Sequence, residues 1–229
     1  MRRSITSVFR WIGAGLFWFV VVSVLWAGLL GIGEPPVTWV MLQQKHEQGA
    51  IERSVVDWTA ISRNMPLAVM ASEDQRFMFH SGFSWEAMRK AMERNKKGKR
   101  IRGGSTISQQ TAKNAFLWPG RSYVRKGLEA YFAGLIEIFW GKPRIMEVYL
   151  NIVEMGPGIY GMPAASKHYF GTTVDRLSPK QAARLTAILP QPIKRSVAKP
   201  SKSVRRYARR IERRVKVVRD EGIDTCLWQ

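Results

Sequence analysis

The chain has 229 residues, 45% of them hydrophobic, enough for one ordinary domain and an appendage. A net charge of +20 calls for anionic partners: nucleic acid, phospholipid headgroups or a phosphorylated substrate. The single cysteine, Cys226, excludes an intramolecular disulfide and a Cys-rich metal site.

The first element is WIGAGLFWFVVVSVLWAGLLGIG, Trp11 to Gly33, uncharged and with Ser23 as its one polar interruption. A helix crossing the hydrocarbon core needs about 20 such residues, whereas a cleavable leader has an apolar region of about 7–15 and a small-residue cleavage site. Residues 11–33 therefore read as a transmembrane signal-anchor, behind a 1–10 N-terminus carrying Arg2, Arg3 and Arg10. The positive-inside rule keeps that terminus cytoplasmic and puts the chain from Glu34 onward outside, a single-pass topology. In the cytosol, RNKKGKRIR and the basic C-terminus would suggest nucleic acid. Outside it, lipid headgroups and phosphorylated lipids become the expected anions, with no role for nucleic acid.

A polar connector, 34–57, opens with Pro35-Pro36. Helical patterns then follow one another over 58–193: MPLAVMASED, SWEAMRKAMERN with Ser84 as N-cap, TISQQTAKNAF, YVRKGLEAYFAGLIEIFW, KPRIMEVYLNIVEM, PAASKHYF and SPKQAARLTAIL. In the last of these Ser178 is the N-cap and Pro179 the first helical residue. No alternating strand run and no internal repeat is evident, so the expected class is all-α (mainly α) behind one membrane helix. Within the C-terminal segment 194–229, Lys194 to Arg219 holds twelve basic residues and one Glu. Val204, Ala208, Ile211, Val215 and Val218 make a narrow apolar stripe there, which either lies against anionic lipid or packs on the domain.

Three segments carry candidate chemistry. RGGSTISQQTAKN, Arg102 to Asn114, sets glycines before a helix N-terminus, whose free N–H groups and dipole attract an anion. It is no nucleotide-binding phosphate loop: Gly98 is followed by KRIR and Gly103-Gly104-Ser105, without the lysine that motif requires. Thr106, Gln110 and Lys113 share a helix face, with Asn114 beside them. SEDQRFMFHSG places Glu73 and Asp74 before Phe77, Phe79 and His80, and a carboxylate among aromatics suits general acid or base work. His80 alone fits a structural role, fixing the turn at Ser81-Gly82. RSYVRKGLEA puts Arg125 and Glu129 four apart with Arg121 one turn earlier, a spacing that a surface ion pair explains equally well. Glu147 and Asn151 repeat that spacing and read as structural. FLWPG, Phe116 to Gly120, adds an apolar patch expected to meet the bilayer through Leu117 and Trp118.

Together EDQRFMFHSG, GGSTISQQTAKN, RKGLE, KPRIMEVYLN and a region through Ala164-Ala165 and YFG resemble the peptidoglycan glycosyltransferases, in the monofunctional form without a penicillin-binding domain. The resemblance spans about Pro66 to Pro192. Pro163 stands where the family often has an acid, and Gln181 replaces a frequent Glu. It implies a lysozyme-like α domain with a small membrane-proximal lobe, on the periplasmic side of the cell inner membrane. It also implies polymerisation of lipid II, with the growing lipid-linked glycan as the other substrate, and contact with cell-wall synthesis or division proteins. Glu73 would be the general base and Glu129 the second carboxylate, ordering Arg125 or Lys113 or holding a divalent cation (Mg or Mn) against the pyrophosphate. Asp74, Phe77, His80, Thr106, Gln110, Lys113, Asn114, Arg121 and Arg125 would bind substrate. No nucleotide or redox cofactor is implied. A lysozyme-like hydrolase and an inactive lipid- or glycan-binding module are the rival readings; the first has no need of a pyrophosphate cradle, and the second would tolerate neutral Glu73 and Glu129.

Overall fold

The structure, a computed structural model, describes residues 2–98, 104–222 and 225–228. Arg102, Gly103 and the KRIR stretch lie outside the described residues. Helix α1 (Arg2–Ile32) is long and apolar enough over Ser7–Ile32 to cross a membrane. The connector is more ordered than its polarity implies. It holds α2 (Trp39–Gln48), capped by Thr38, whose Oγ1 accepts from the Met41 N–H, and strand β1 (Glu52–Arg53). Arg53 pins its start by donating to the Pro35 and Pro36 carbonyls.

The domain is helical: α3 (Asn64–Glu73), α4 (Trp85–Lys97), α5 (Ile107–Phe116), α6 (Tyr123–Phe139), α7 (Gly141–Ile152), α8 (Met162–Phe170), α9 (Pro179–Thr186) and α10 (Lys202–Asp220). Helix α3 is apolar all round and buries every residue from Met65 to Ala71, as a central helix does. One layer sets α3 against α9 and α10; the other sets α5 against α6 and α7, with α1 on the outer side of α6. The Ser178 cap on α9 is present as a full capping box closed by Gln181, so the Gln that departs from the family pattern has a local role.

A strand sheet is the main departure from the helical expectation. β2 (Glu154–Gly156) pairs antiparallel with β3 (Ile159–Tyr160), which pairs parallel with β1, in the order β1-β3-β2. Strands of two or three residues are too short to show an alternating pattern. Asn151 ties the segment after β1 to α7 as a structural residue: its side chain is fully buried, donating to the Val56 and Glu147 carbonyls and accepting from the Val56 N–H. Gly161 is required beside it, because a Cβ there would lie 2.6 Å from the Asn151 carbonyl oxygen at a φ of +81°. The apolar stripe of α10 is buried against α3 and α9, so packing, not lipid, accounts for it. Arg205, Arg206, Arg209, Arg210 and Arg213 face outward.

Candidate active site

Helix α5 organises the site from both ends. Its N-terminus carries a capping box, with the Thr106 hydroxyl accepting from the Gln109 N–H and donating to the Gly82 carbonyl at 2.6 Å. The Ile107 N–H donates to Asp74 Oδ2 at 3.1 Å. The anion expected at this N-terminus is therefore the protein's own Asp74 carboxylate. Asp74 also lies 2.9 Å from His80 Nε2, and both side chains are buried. Asp74, His80 and Thr106, taken from the sequence as substrate ligands, are thus joined into the bracket that holds α5 against the end of α3. Phe77 is fully buried in the core under the Lys142 ammonium, 4.5 Å from its ring, and cannot touch a substrate.

The C-terminal half of α5 points into a pocket of about 280 Å³. Lys113 and Asn114 enter it from α5, Arg121 from the loop before α6, Arg125 from the first turn of α6, and Glu154 and Tyr160 from the β2–β3 hairpin. Thr38 and Val40 supply a further wall from α2. Burial lowers the Lys113 ammonium from its ordinary value, opposed mainly by Glu129, while Arg125 and Lys126 lower it further. Two buried polar atoms in this lining lack a hydrogen-bond partner among the described residues: Arg125 Nε and the Tyr160 hydroxyl. An unpaired buried donor costs about 1–3 kcal/mol, so a ligand that accepts from both is favoured there. Burial raises the Tyr160 phenol, so it stays a neutral donor.

Glu129 is almost fully buried and ion-paired with Lys126. Among the described residues no three His, Cys, Asp or Glu side chains cluster as a ligand set. The arrangement fits the ordering of basic residues by Glu129.

Glu73 ends α3 one helical turn of α5 away from Lys113. The Gln110 Nε2 donates to its Oε2 at 3.4 Å and the Ser72 hydroxyl to its Oε1 at 3.0 Å. Burial raises the carboxyl above its ordinary value; those two hydrogen bonds and the Arg195 charge oppose the shift, and Asp74 adds to it. Glu73, Gln110, Lys113, Asn114, Arg121, Arg125 and Glu129 thus lie in or beside one site, while Asp74, Phe77, His80 and Thr106 support it from behind. Of the membrane patch, Leu117 is only 3% exposed and belongs to the core, leaving Trp118 as the outward residue. Glu154 and Tyr160 escaped sequence reasoning: GPGIYG marks a turn, but nothing local says which helix the turn faces.

A sequence model of the transglycosylase family matches residues 41–220. A biosynthetic peptidoglycan transglycosylase of Caulobacter vibrioides is 47% identical over 228 residues, covering 99% of this chain and 100% of the relative. Proteins of the same description from Pseudomonas fluorescens SBW25 and Pseudomonas aeruginosa are 46% and 45% identical over 211 and 208 residues, covering 90% and 88% of this chain and 88% and 90% of their own.

Proposed function

The chain belongs to the transglycosylase family and is a peptidoglycan glycosyltransferase of cell-wall synthesis, and on that premise we propose how its residues divide the reaction. The donor is a polyprenyl-pyrophosphate-linked glycan and the acceptor is lipid II. Glu73 takes the proton of the acceptor's 4-hydroxyl as that oxygen bonds to C1 of the donor sugar. The C1–O bond to phosphate breaks on the opposite face, and polyprenyl pyrophosphate leaves with the electron pair. The α linkage becomes β-1,4 in one inverting step.

Lys113, Arg121 and Arg125 meet the charge that grows on the leaving pyrophosphate, with Asn114 orienting it. Burial of Lys113 makes its interaction with that charge stronger than in water. The phosphate charge is assigned to these cations. Helix α1 supports anchoring in the cell inner membrane with the domain on the periplasmic side, where the pyrophosphate sits at the headgroup layer. The observation that carries the assignment is the convergence of Lys113, Asn114, Arg121 and Arg125 on a pocket holding two unsatisfied donors.

The test is polymerisation of purified lipid II by the full-length enzyme in detergent, scored for glycan polymer and released polyprenyl pyrophosphate. Glu73→Gln keeps the shape and removes the base, and turnover is expected to fall by at least about 100-fold. Lys113→Ala is expected to abolish most activity. Near-normal turnover by either folded variant overturns the corresponding role.

A further inference from the structure

The Glu73 carboxylate is the meeting point of two hydrogen-bonded arms, each ending in a tyrosine. In one arm Tyr149 donates to Gln110 Oε1 and Gln110 donates to Glu73 Oε2, both at a long 3.4 Å. The other arm is tighter. Ser72 Oγ donates to Glu73 Oε1 at 3.0 Å and lies 2.7 Å from the Tyr207 hydroxyl.

The direction of that second arm follows from counting hydrogens. A serine hydroxyl has one hydrogen, and a carboxylate can only accept. With Ser72 donating to Glu73, Tyr207 must donate to Ser72. The polarity therefore runs from Tyr207 through Ser72 to Glu73, and each link strengthens the next.

Tyr207 belongs to α10, the basic C-terminal helix, and is itself held in place. The Arg195 guanidinium stands 5.7 Å over its ring and donates to the Ala187 carbonyl at 2.7 Å. Lower on the same helix Arg214 Nη1 lies 3.4 Å from the Ala71 carbonyl. The groups acting on Glu73 from the surrounding elements are the charged Arg195 and Asp74, the neutral Ser72 and Gln110, and Tyr149, whose hydroxyl burial keeps protonated.

We propose that Ser72 and Tyr207 are positioning residues for the Glu73 base, Tyr207 acting through Ser72 to hold the carboxylate in one rotamer and one hydrogen-bonded state. The basic helix α10 then braces the reaction centre from behind, in addition to presenting a cationic surface. This rests on the assignment of Glu73 as the base, and the experiment separates the two.

The experiment follows the Glu73 carboxyl carbon by carbon-13 NMR across pH in the full-length enzyme, its signal identified by its loss in Glu73→Gln. The same samples are assayed for kcat and KM against pH with lipid II. Ser72→Ala removes a donor to the ionised carboxylate, so Glu73 is expected to titrate at higher pH. The acid limb of kcat should move with it, kcat on that limb falling about 3–10-fold with KM little changed. Tyr207→Phe keeps the ring under Arg195 and loses only the hydroxyl, so a smaller shift in the same direction is expected. The double variant is expected to match Ser72→Ala, and Ser72→Thr to restore the original titration.

An unchanged Glu73 titration in Ser72→Ala overturns the proposal. So does a double variant in which the two shifts add, since Tyr207 would then not act through Ser72. A shifted Glu73 titration with an unmoved acid limb upholds the positioning and overturns Glu73 as the base.

Discussion

Burial holds the Glu73 carboxyl above its ordinary range, against the pull of Ser72, Gln110 and Arg195. A carboxyl raised in the folded state destabilises the fold once it ionises. The native protein thus loses stability as pH rises from the unfolded carboxyl value through the raised folded one, and the loss stays constant above that. Glu73→Gln removes the ionisation while keeping an oxygen for Ser72. The variant is therefore expected to melt above the native enzyme at pH 7, with the difference closing as pH falls towards about 4.5. Melting curves at several pH values check this; a variant that melts lower at pH 7 would show the ionised carboxylate to be well satisfied where it sits. At this scale the sequence was informative wherever one helix supplies neighbouring residues. Gln110, Lys113 and Asn114 share a face of α5 as their spacing requires. Glu154 and Tyr160 reach the same pocket from a hairpin some forty positions further along, and only the tertiary fold brings them there. Phe77 failed differently: an aromatic near a carboxylate reads the same whether it lines a cleft or fills the core.

Helices whose signals are local were legible, and their partners were not. Ser178 caps α9, a chemistry visible in four residues, whereas Thr106, expected to bind substrate, turns out to cap α5 in the same way. The stripe on α10 was visible too, but a stripe does not say whether protein or lipid covers it. The glycine-led start of α5 misled for a related reason, because a helix N-terminus attracts an anion from any source and here Asp74 supplies it. Asp74→Asn tests that reading. The amide can still accept one hydrogen bond, but the charge facing the helix N-terminus and His80 is lost. The expected cost is about 1–2 kcal/mol. In a chain of this size that lowers the melting temperature by roughly 2–8 °C. Activity should fall less than in Glu73→Gln, since Asp74 touches α5 and His80 and lines no part of the pocket. A loss of turnover as deep as that of Glu73→Gln, with an unchanged melting temperature, would make Asp74 a catalytic group instead.

On the scale of the whole molecule, α1 is part of the domain as well as a tether. Ser23 Oγ lies 2.6 Å from the Tyr131 hydroxyl, the Trp26 ring meets Phe116 edge-on at 5.1 Å, and the Trp140 indole donates to the Ala27 carbonyl at 2.7 Å. Arg144 closes the series by donating to the Leu30 and Gly33 carbonyls. From Ser23 to Gly33 these contacts cover about 15 Å of helix. In a bilayer crossed by α1, the facing side of α6 would stand within the hydrocarbon, close to the loop that carries Trp118 and Arg121 into the pocket. Docking of α1 would then set the depth at which the cationic pocket meets a lipid-linked pyrophosphate. Two glycines of α1 isolate this contact. A Cβ on Gly31 would lie 2.9 Å from Trp140 Cδ1, whereas one on Gly28 meets nothing within 4 Å. Gly31→Leu keeps the span apolar but must push Trp140 aside and strain its bond to Ala27. The expected loss is about 1–3 kcal/mol. Gly28→Leu adds the same side chain without a clash and should leave the melting temperature of the detergent-solubilised enzyme unchanged or slightly raised. Turnover of lipid II in liposomes should fall in the Gly31 variant and hold in the Gly28 variant. Equal melting curves and equal turnover in the two would mean that α1 leaves Trp140 in the working enzyme and acts as a tether alone.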